Sequence, residues 1–253
     1  MTAATTTSHE ALQRLAAQEN LGAPLGDFQP ARRYLALSGW LLLGLFPCIF
    51  LAGETPLASL VPGVVEWPVA IYGLLHNPLA VRKLTRRRIH LYEQGFVYED
   101  VAGELEVFRW DRITLFQRVR NQRAMVRHPM RYRLVVVRDD RRQLVITNAW
   151  AEIGRLAKEV ARRTLLTQLP VARAALREGR SVSFGGLTVD ASGVTGRRRS
   201  APWSAVDIVM PRLAKVTVLA ADEFLPLYSE RRGRIPNIQL LFQLYRDHRR
   251  KDG

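Results

Sequence analysis

The residues in this chain best equipped for chemistry are arginines. Arg118, Arg120, Arg123, Arg127, Arg131 and Arg133 crowd one short stretch, with Asn121, Gln122 and His128 among them. A guanidinium presents a planar fork of N–H donors that matches paired phosphate or carboxylate oxygens. A second run, Arg86-Arg87-Arg88, directly follows a long apolar region, and a third, Arg197-Arg198-Arg199, reads as a solvated turn. The formal net charge is +15. Charge of that sign and density implies an anionic partner, either lipid headgroups or a protein, although a solvated hairpin tip would look the same in sequence. Nucleic acid is disfavoured, because no helix-turn-helix and no aromatic stacking pattern accompanies the arginines.

Chemistry of other kinds finds no foothold. The chain has no G-x-x-x-x-G-K-[ST] loop, no H-E-x-x-H and no G-x-S-x-G, so no catalytic residue is assigned and a non-enzyme is expected. His9, His76, His90, His128 and His248 are scattered, with no Cys or His at ligand spacing, so neither a metal nor another cofactor is expected. Cys48 stands alone and reads as a small packing residue. The acidic pairs Asp139-Asp140 and Asp222-Glu223 are of the kind that turns contain.

The elements that must position the arginines begin with an apolar stretch from Tyr34 to Val81. Its first half, Tyr34 to Gly53, is uncharged over about 20 residues, the length that crosses a hydrocarbon core as a helix. Its second half, Pro56 to Val81, is interrupted only by Glu66. Arg32-Arg33 precede the stretch, Arg82, Lys83 and Arg86 to Arg88 follow it, and the connector carries no base. That asymmetry predicts a two-helix transmembrane hairpin over residues 31–81, integral to the plasma (inner) membrane with both termini cytoplasmic. A carboxylate at the bilayer centre costs about 3 kcal/mol on insertion scales. Glu66 is therefore either a working intramembrane group, in a subunit of a membrane enzyme or transporter, or an interfacial residue beside Trp67.

Around the hairpin the chain reads as follows. Residues 1–30 form a polar tail with a short helix, Thr7 its cap and Asn20 or Gly22 its end. After the basic run, Ile89 to Leu91 and Phe96 to Tyr98 alternate as strands about Glu93-Gln94-Gly95, with the glycine placed where a turn needs positive φ. Further strands run through Trp110, Ile113 to Val119, Arg131 to Val137 and Leu144 to Ile146, and a helix with Asn148 as its expected cap follows. These elements make a unit over residues 82–168. Pro170 and Gly179 bound a helical linker over 169–180. Strands about Asp190 to Gly193, Trp203 and Lys215 to Ala220, and a closing helix from Ile238, repeat the order over 181–253.

Together FRWDRI, LVITNAWAEI, SFGGLTVDASGVTGRRRSAPWSAV and the lead-in LGAPLGDFQPARR resemble an uncharacterised actinobacterial family of membrane-anchored proteins with tandem bacterial PH-like domains. The resemblance implies an α+β fold: the hairpin, then two antiparallel β sandwiches or barrels, each closed by a C-terminal helix. The motifs that carry it are fold markers and imply no known activity; taken with the charge, the expectation is a non-catalytic, membrane-anchored protein that presents two binding modules at the cytoplasmic face to a protein or anionic lipid. The charge clusters, and not the resemblance, nominate Arg86, Arg87, Arg88, Arg118, Arg120, Arg123 and Arg127 as the lipid- or partner-binding residues. The phosphoinositide site of eukaryotic PH domains is not carried over, since Glu93-Gln94-Gly95 and Asp190 to Gly193 lack its basic cluster.

Overall fold

A computed structural model describes residues 3–31, 87–120, 131–197, 199–209, 215–221 and 225–249. The first unit starts before the apolar stretch. Strand β1 (Pro24–Phe28) pairs antiparallel with β2 (Arg88–Tyr92), although most of the intervening chain separates them in sequence. Strands β3 (Gly95–Glu99) and β4 (Leu105–Arg109) complete a four-stranded sheet in the order β1-β2-β3-β4. A short 3₁₀ turn, η1 (Trp110–Arg112), leads to a second sheet of β5 (Ile113–Arg120), β6 (Arg131–Arg138) and β7 (Gln143–Thr147). Alternation drives both sheets. Ile89, Leu91, Phe96, Phe108, Ile113, Leu115, Leu134, Val136 and Ile146 all point into one core. Helix α1 (Ala3–Gln18) covers the other face of the first sheet, setting Leu12 and Ala16 against Leu21, Tyr92 and Val97. The N-terminal segment is thus built into this unit, and Thr7 lies within the helix, which begins at Ala3.

The second unit repeats the plan on a smaller scale. Strands β8 (Val182–Ser183), β9 (Thr188–Val189), β10 (Gly193–Thr195) and β11 (Ser200–Pro202) form one sheet. After the turn η2 (Trp203–Ala205), β12 (Val206–Val209), β13 (Lys215–Ala220) and β14 (Tyr228–Arg231) form another. The correspondence reaches individual atoms. Trp110 Nε1 donates to Tyr92 O at 3.2 Å and Trp203 Nε1 donates to Asp190 O at 2.9 Å. The backbone N–H of each tryptophan reaches into the same turn, onto Gln94 O and Ser192 O. Each ring therefore fastens a β-turn to the start of a 3₁₀ turn from inside the core. The glycine of each turn answers to crowding. A Cβ at Gly95 would sit 2.6 Å from Phe108 O, and one at Gly193 would run into Ala201 O. Neither needs the left-handed backbone that the sequence pattern suggests for Gly95.

One helix serves both cores. Helix α2 (Ile153–Arg177) sets Leu156, Ala157, Val160 and Ala161 into the first, and Ala172 and Leu176 into the second. It runs through Pro170, where the sequence suggests a break. Leu166, whose carbonyl loses its helical donor there, is 54% exposed, so water can serve it. Gly179 (φ +73°) then ends the helix, with Arg180 N bonded to Ala175 O as in a Schellman cap. At the other end Glu152 is the cap residue, and Asn148 Oδ1 instead accepts from Tyr132 N at 2.6 Å.

The second unit docks on the free edge of β5. Past the turn η3 (Arg232–Arg234), Asn237 behaves as a strand partner: its N–H donates to Leu115 O at 2.9 Å, and its Oδ1 accepts from Leu115 N at 2.8 Å. Its Nδ2 donates to Gln168 Oε1, and Gln168 Nε2 in turn donates to Trp110 O and Ile113 O. Helix α3 (Ile238–Arg249) follows and closes the second core with Ile238, Leu241 and Leu244. The joint satisfies backbone groups that an open sheet edge would leave bare.

Two expectations are corrected. Among the described residues no helix is long and apolar enough to cross a membrane. The fold described is four small antiparallel sheets and three α-helices, and the two-helix transmembrane hairpin is no part of it; residues 31–81 lie outside the described residues except for Ala31. Integral placement in the plasma membrane, with both termini cytoplasmic, rested on that hairpin alone and falls with it. An apolar run measures transfer out of water, which any apolar environment rewards. The one described helix of spanning length, α2, is amphipathic and carries Arg155, Lys158, Glu159, Arg162 and Arg163.

Because each tryptophan both fills a core and latches a turn, Trp203→Ala and Trp110→Ala should each lower unfolding free energy by roughly 3–5 kcal/mol. Chemical denaturation of the full chain measures this; a loss below about 1 kcal/mol at either position would show that its latch is dispensable.

Candidate functional site

Many of the described arginines are tied to carboxylates. Arg138 grips Asp140 through Nε at 3.0 Å and holds its carboxyl at a pKa of about 2. Arg142 pairs with Glu106, Arg162 with Glu159, Arg173 with Asp247 and Arg180 with Glu178. Exposed pairs of this sort neutralise one another and leave little field for a partner to feel.

Of the described arginines without a carboxylate partner, some stand apart, as Arg177 on α2 does, and one group gathers where the two units meet. Arg118 on β5 lies opposite Arg133 on β6, and the next row on the same face sets Arg120 opposite Arg131. Like charges placed directly across a ladder repel, so the Arg118–Arg133 row costs stability unless an anion intervenes. Beside β5 lies η3, packed so closely that a Cβ at Gly233 would come within 3.0 Å of Arg118 Cβ. Arg232 of that turn is half-buried. Burial alone lowers its pKa, and its Nε is shielded from water without an acceptor. Arg231, at the end of β14, is opposite Lys215 on β13. A basic stripe of β6, β5 and η3 therefore crosses from one unit to the other, and Arg231 and Lys215 are paired where β14 leads into it. No ion pair or side-chain hydrogen bond joins Arg118, Arg131, Arg133, Lys215, Arg231 or Arg232 to a described residue. Glu230, the carboxylate beside the stripe, spends Oε1 on Arg231 N and on Arg234 at 3.8 Å. On the same face of the second sheet, Val135 stands opposite Phe116 and Val145, and Val145 is 43% exposed, so apolar surface borders the arginines.

Of the residues singled out in the sequence, Arg118 and Arg120 belong to this stripe by position. Arg88 instead opens β2 of the first sheet, and Arg87 immediately precedes it. Arg87 Nε is shielded and without an acceptor, while exposed Arg88 lies opposite Glu99. Arg86, Arg123, Arg127 and Glu66 lie outside the described residues. Lys215, Arg231 and Arg232 are the contributors that local reading misses. The turn η3 that follows Arg231 comes beside Arg118 only because the chain returns along β5 from the other unit. The available signal is the run Arg231-Arg232-Gly233-Arg234, read together with its small residue.

Other polar clusters are structural. Buried His90 holds Asp27 Oδ1 at 2.7 Å through Nδ1, with Glu99 Oε2 3.6 Å from Nε2, and so ties β1 to β2 and β3. Among the described residues no group of three or more His, Cys, Asp or Glu side chains is placed to hold a metal ion.

The close approach at Gly233 generates a test. Gly233→Val should force η3 off β5, lower stability by about 1–3 kcal/mol and speed amide exchange at Leu115, whose N–H is held by Asn237. Unchanged exchange at Leu115 in that variant would mean that the joint does not depend on this contact.

The profile of one family, described as "Family of unknown function (DUF6585)", matches residues 1–252 of the chain. No curated protein and no solved structure matches it.

Proposed function

The chain belongs to the DUF6585 family, and we propose that it is a non-catalytic binding protein whose two PH-like units engage an anionic partner through the arginine stripe. The PH-like reading is supported by the order of elements. Each unit has a four-stranded antiparallel sheet, then a three-stranded one, then a closing helix. The observation that carries the binding reading is the set of cations without carboxylate partners, drawn from both units and set in opposed like-charged rows.

The physics of such a surface favours many weak contacts over one strong one. Each exposed cation near an anionic headgroup layer contributes roughly 1 kcal/mol, and the attraction decays within a Debye length of about 8 Å at physiological salt. Phe116, Val135 and Val145 add apolar contact area beside the charge. Anionic lipid headgroups are the partner that this combination fits best, and an acidic protein segment offers the same chemistry in another form. The reading that makes Glu66 the working group of a membrane enzyme or transporter gains no support, since Glu66 lies outside the described residues.

Vesicles test this directly. The full chain should sediment with vesicles containing an acidic phospholipid, release as salt is raised and leave neutral vesicles unbound. Replacing Arg118, Arg131 and Arg133 with Ser should weaken binding by about 3 kcal/mol in sum. Replacing the paired Arg155, Arg162 and Arg180 should change it by less than about 1 kcal/mol. Equal losses from the two triple variants would reduce the effect to net charge and remove the stripe as a site. Binding to polyglutamate but not to acidic vesicles would assign the stripe to a protein partner.

A further inference from the structure

A groove of about 550 Å³ opens between the C-terminal halves of α2 and α3, beside the turn joining β9 and β10. It lies in the second unit and shares no residue with the arginine stripe. Its size falls within the range of small-molecule sites. Leu176 and Leu244, 6% and 1% exposed, supply the apolar lining, and Ala191 of the turn stands at the mouth. Three cationic or titratable side chains, Arg173, Arg177 and His248, line the same space together with Asp247.

The hydrogen bonds decide which of these groups remain available. Arg173 closes on one oxygen of Asp247, Nε at 2.8 Å and Nη2 at 2.7 Å, and Gln243 Nε2 donates to the other at 3.0 Å. Both oxygens of Asp247 are thus engaged and its charge is compensated. Asp190, next to Ala191, likewise turns its carboxylate onto Ser192 and Gly193, which together hold its pKa below the usual carboxylate range. Arg177 differs. Its Nε reaches Arg173 O at 3.4 Å and its guanidinium pairs with no described carboxylate. The ring of His248 packs at 4.3 Å from that of Trp203, which fixes one wall. The balance is an apolar trough with one uncompensated guanidinium.

We infer that this groove is a binding site for a small monocarboxylate with an apolar body, the carboxylate on Arg177 and the body over Leu176 and Leu244. A carboxylate accepts two parallel N–H bonds from a guanidinium, and an apolar chain of several carbons laid against the leucines removes its own surface from water. A free acid and a peptide C-terminus both present such a carboxylate, and the chemistry recognised is the same.

Calorimetric titration of the full chain with octanoate and with octanol separates charge from burial. Octanoate should bind at least tenfold more tightly than octanol. Arg177→Gln should remove that preference and Arg177→Lys should restore part of it. Ala191→Trp, which narrows the mouth without touching the charge, should weaken both ligands. Arg133→Gln, on the arginine stripe, should leave octanoate binding unchanged, so failure here is distinguishable from failure of the stripe. A tripeptide ending in leucine, compared with its C-terminal amide, tests the peptide source: preference for the free carboxylate assigns the groove to chain termini as well as free acids. Equal affinity for octanoate and octanol, no binding of either, or an octanoate affinity unmoved by Arg177→Gln would overturn the inference.

Discussion

The sharing of α2 between two cores is the constraint on which the rest of the molecule depends. A helix that closed only the first sandwich could end at Pro170, where the sequence breaks the hydrogen-bond ladder. This one continues, because Ala172 and Leu176 are needed in the second core as much as Leu156 and Val160 are in the first. A rigid rod with one end in each core limits how far the units can move apart. The Asn237–Leu115 pair then fixes their rotation, since a strand-like pairing tolerates little change of register. Asn237 adopts φ +45°, a conformation asparagine accepts more readily than most residues, so the residue that makes the pair also suits its backbone.

The arginine stripe is a product of that joint. Neither sheet alone carries a broad basic surface: the first unit contributes the opposed rows of β5 and β6, the second η3 and the ends of β13 and β14. Docking sets them side by side, and Arg232 is half-buried there without a carboxylate partner among the described residues. Folding stability alone would favour a neutral residue there, because a desolvated cation without a counter-ion is costly. Many of the described arginines elsewhere have acquired partners, as Arg138 has Asp140 and Arg173 has Asp247.

Local pattern made much of the fold legible. Alternation located β2, β3, β5, β6, β7 and β13, and the repeated tryptophan marked equivalent positions in two units before any contact was visible. What could not be read was long-range. Strand β1 is short and has its partner on the far side of a long apolar excursion, so its pairing with β2 leaves no local trace. The same excursion misled in another way, since hydropathy reports a preference for leaving water and is silent on the environment that receives the chain. At the site, Arg118 was legible from local density, whereas Arg231 and Arg232 became its neighbours only through a pairing more than a hundred residues away in the chain.

The central claim is that one surface, drawn from both units, meets the anionic partner. Amide hydrogen exchange of the full chain, with and without acidic vesicles, reads it most directly. Binding should slow exchange together in β5, β6 and the β14–η3 segment, Tyr228–Arg231 and Arg232–Arg234, while leaving the first sheet around β2 and β3 unchanged. Slowed exchange confined to one unit, or centred on the β2–β3 turn, would contradict the account.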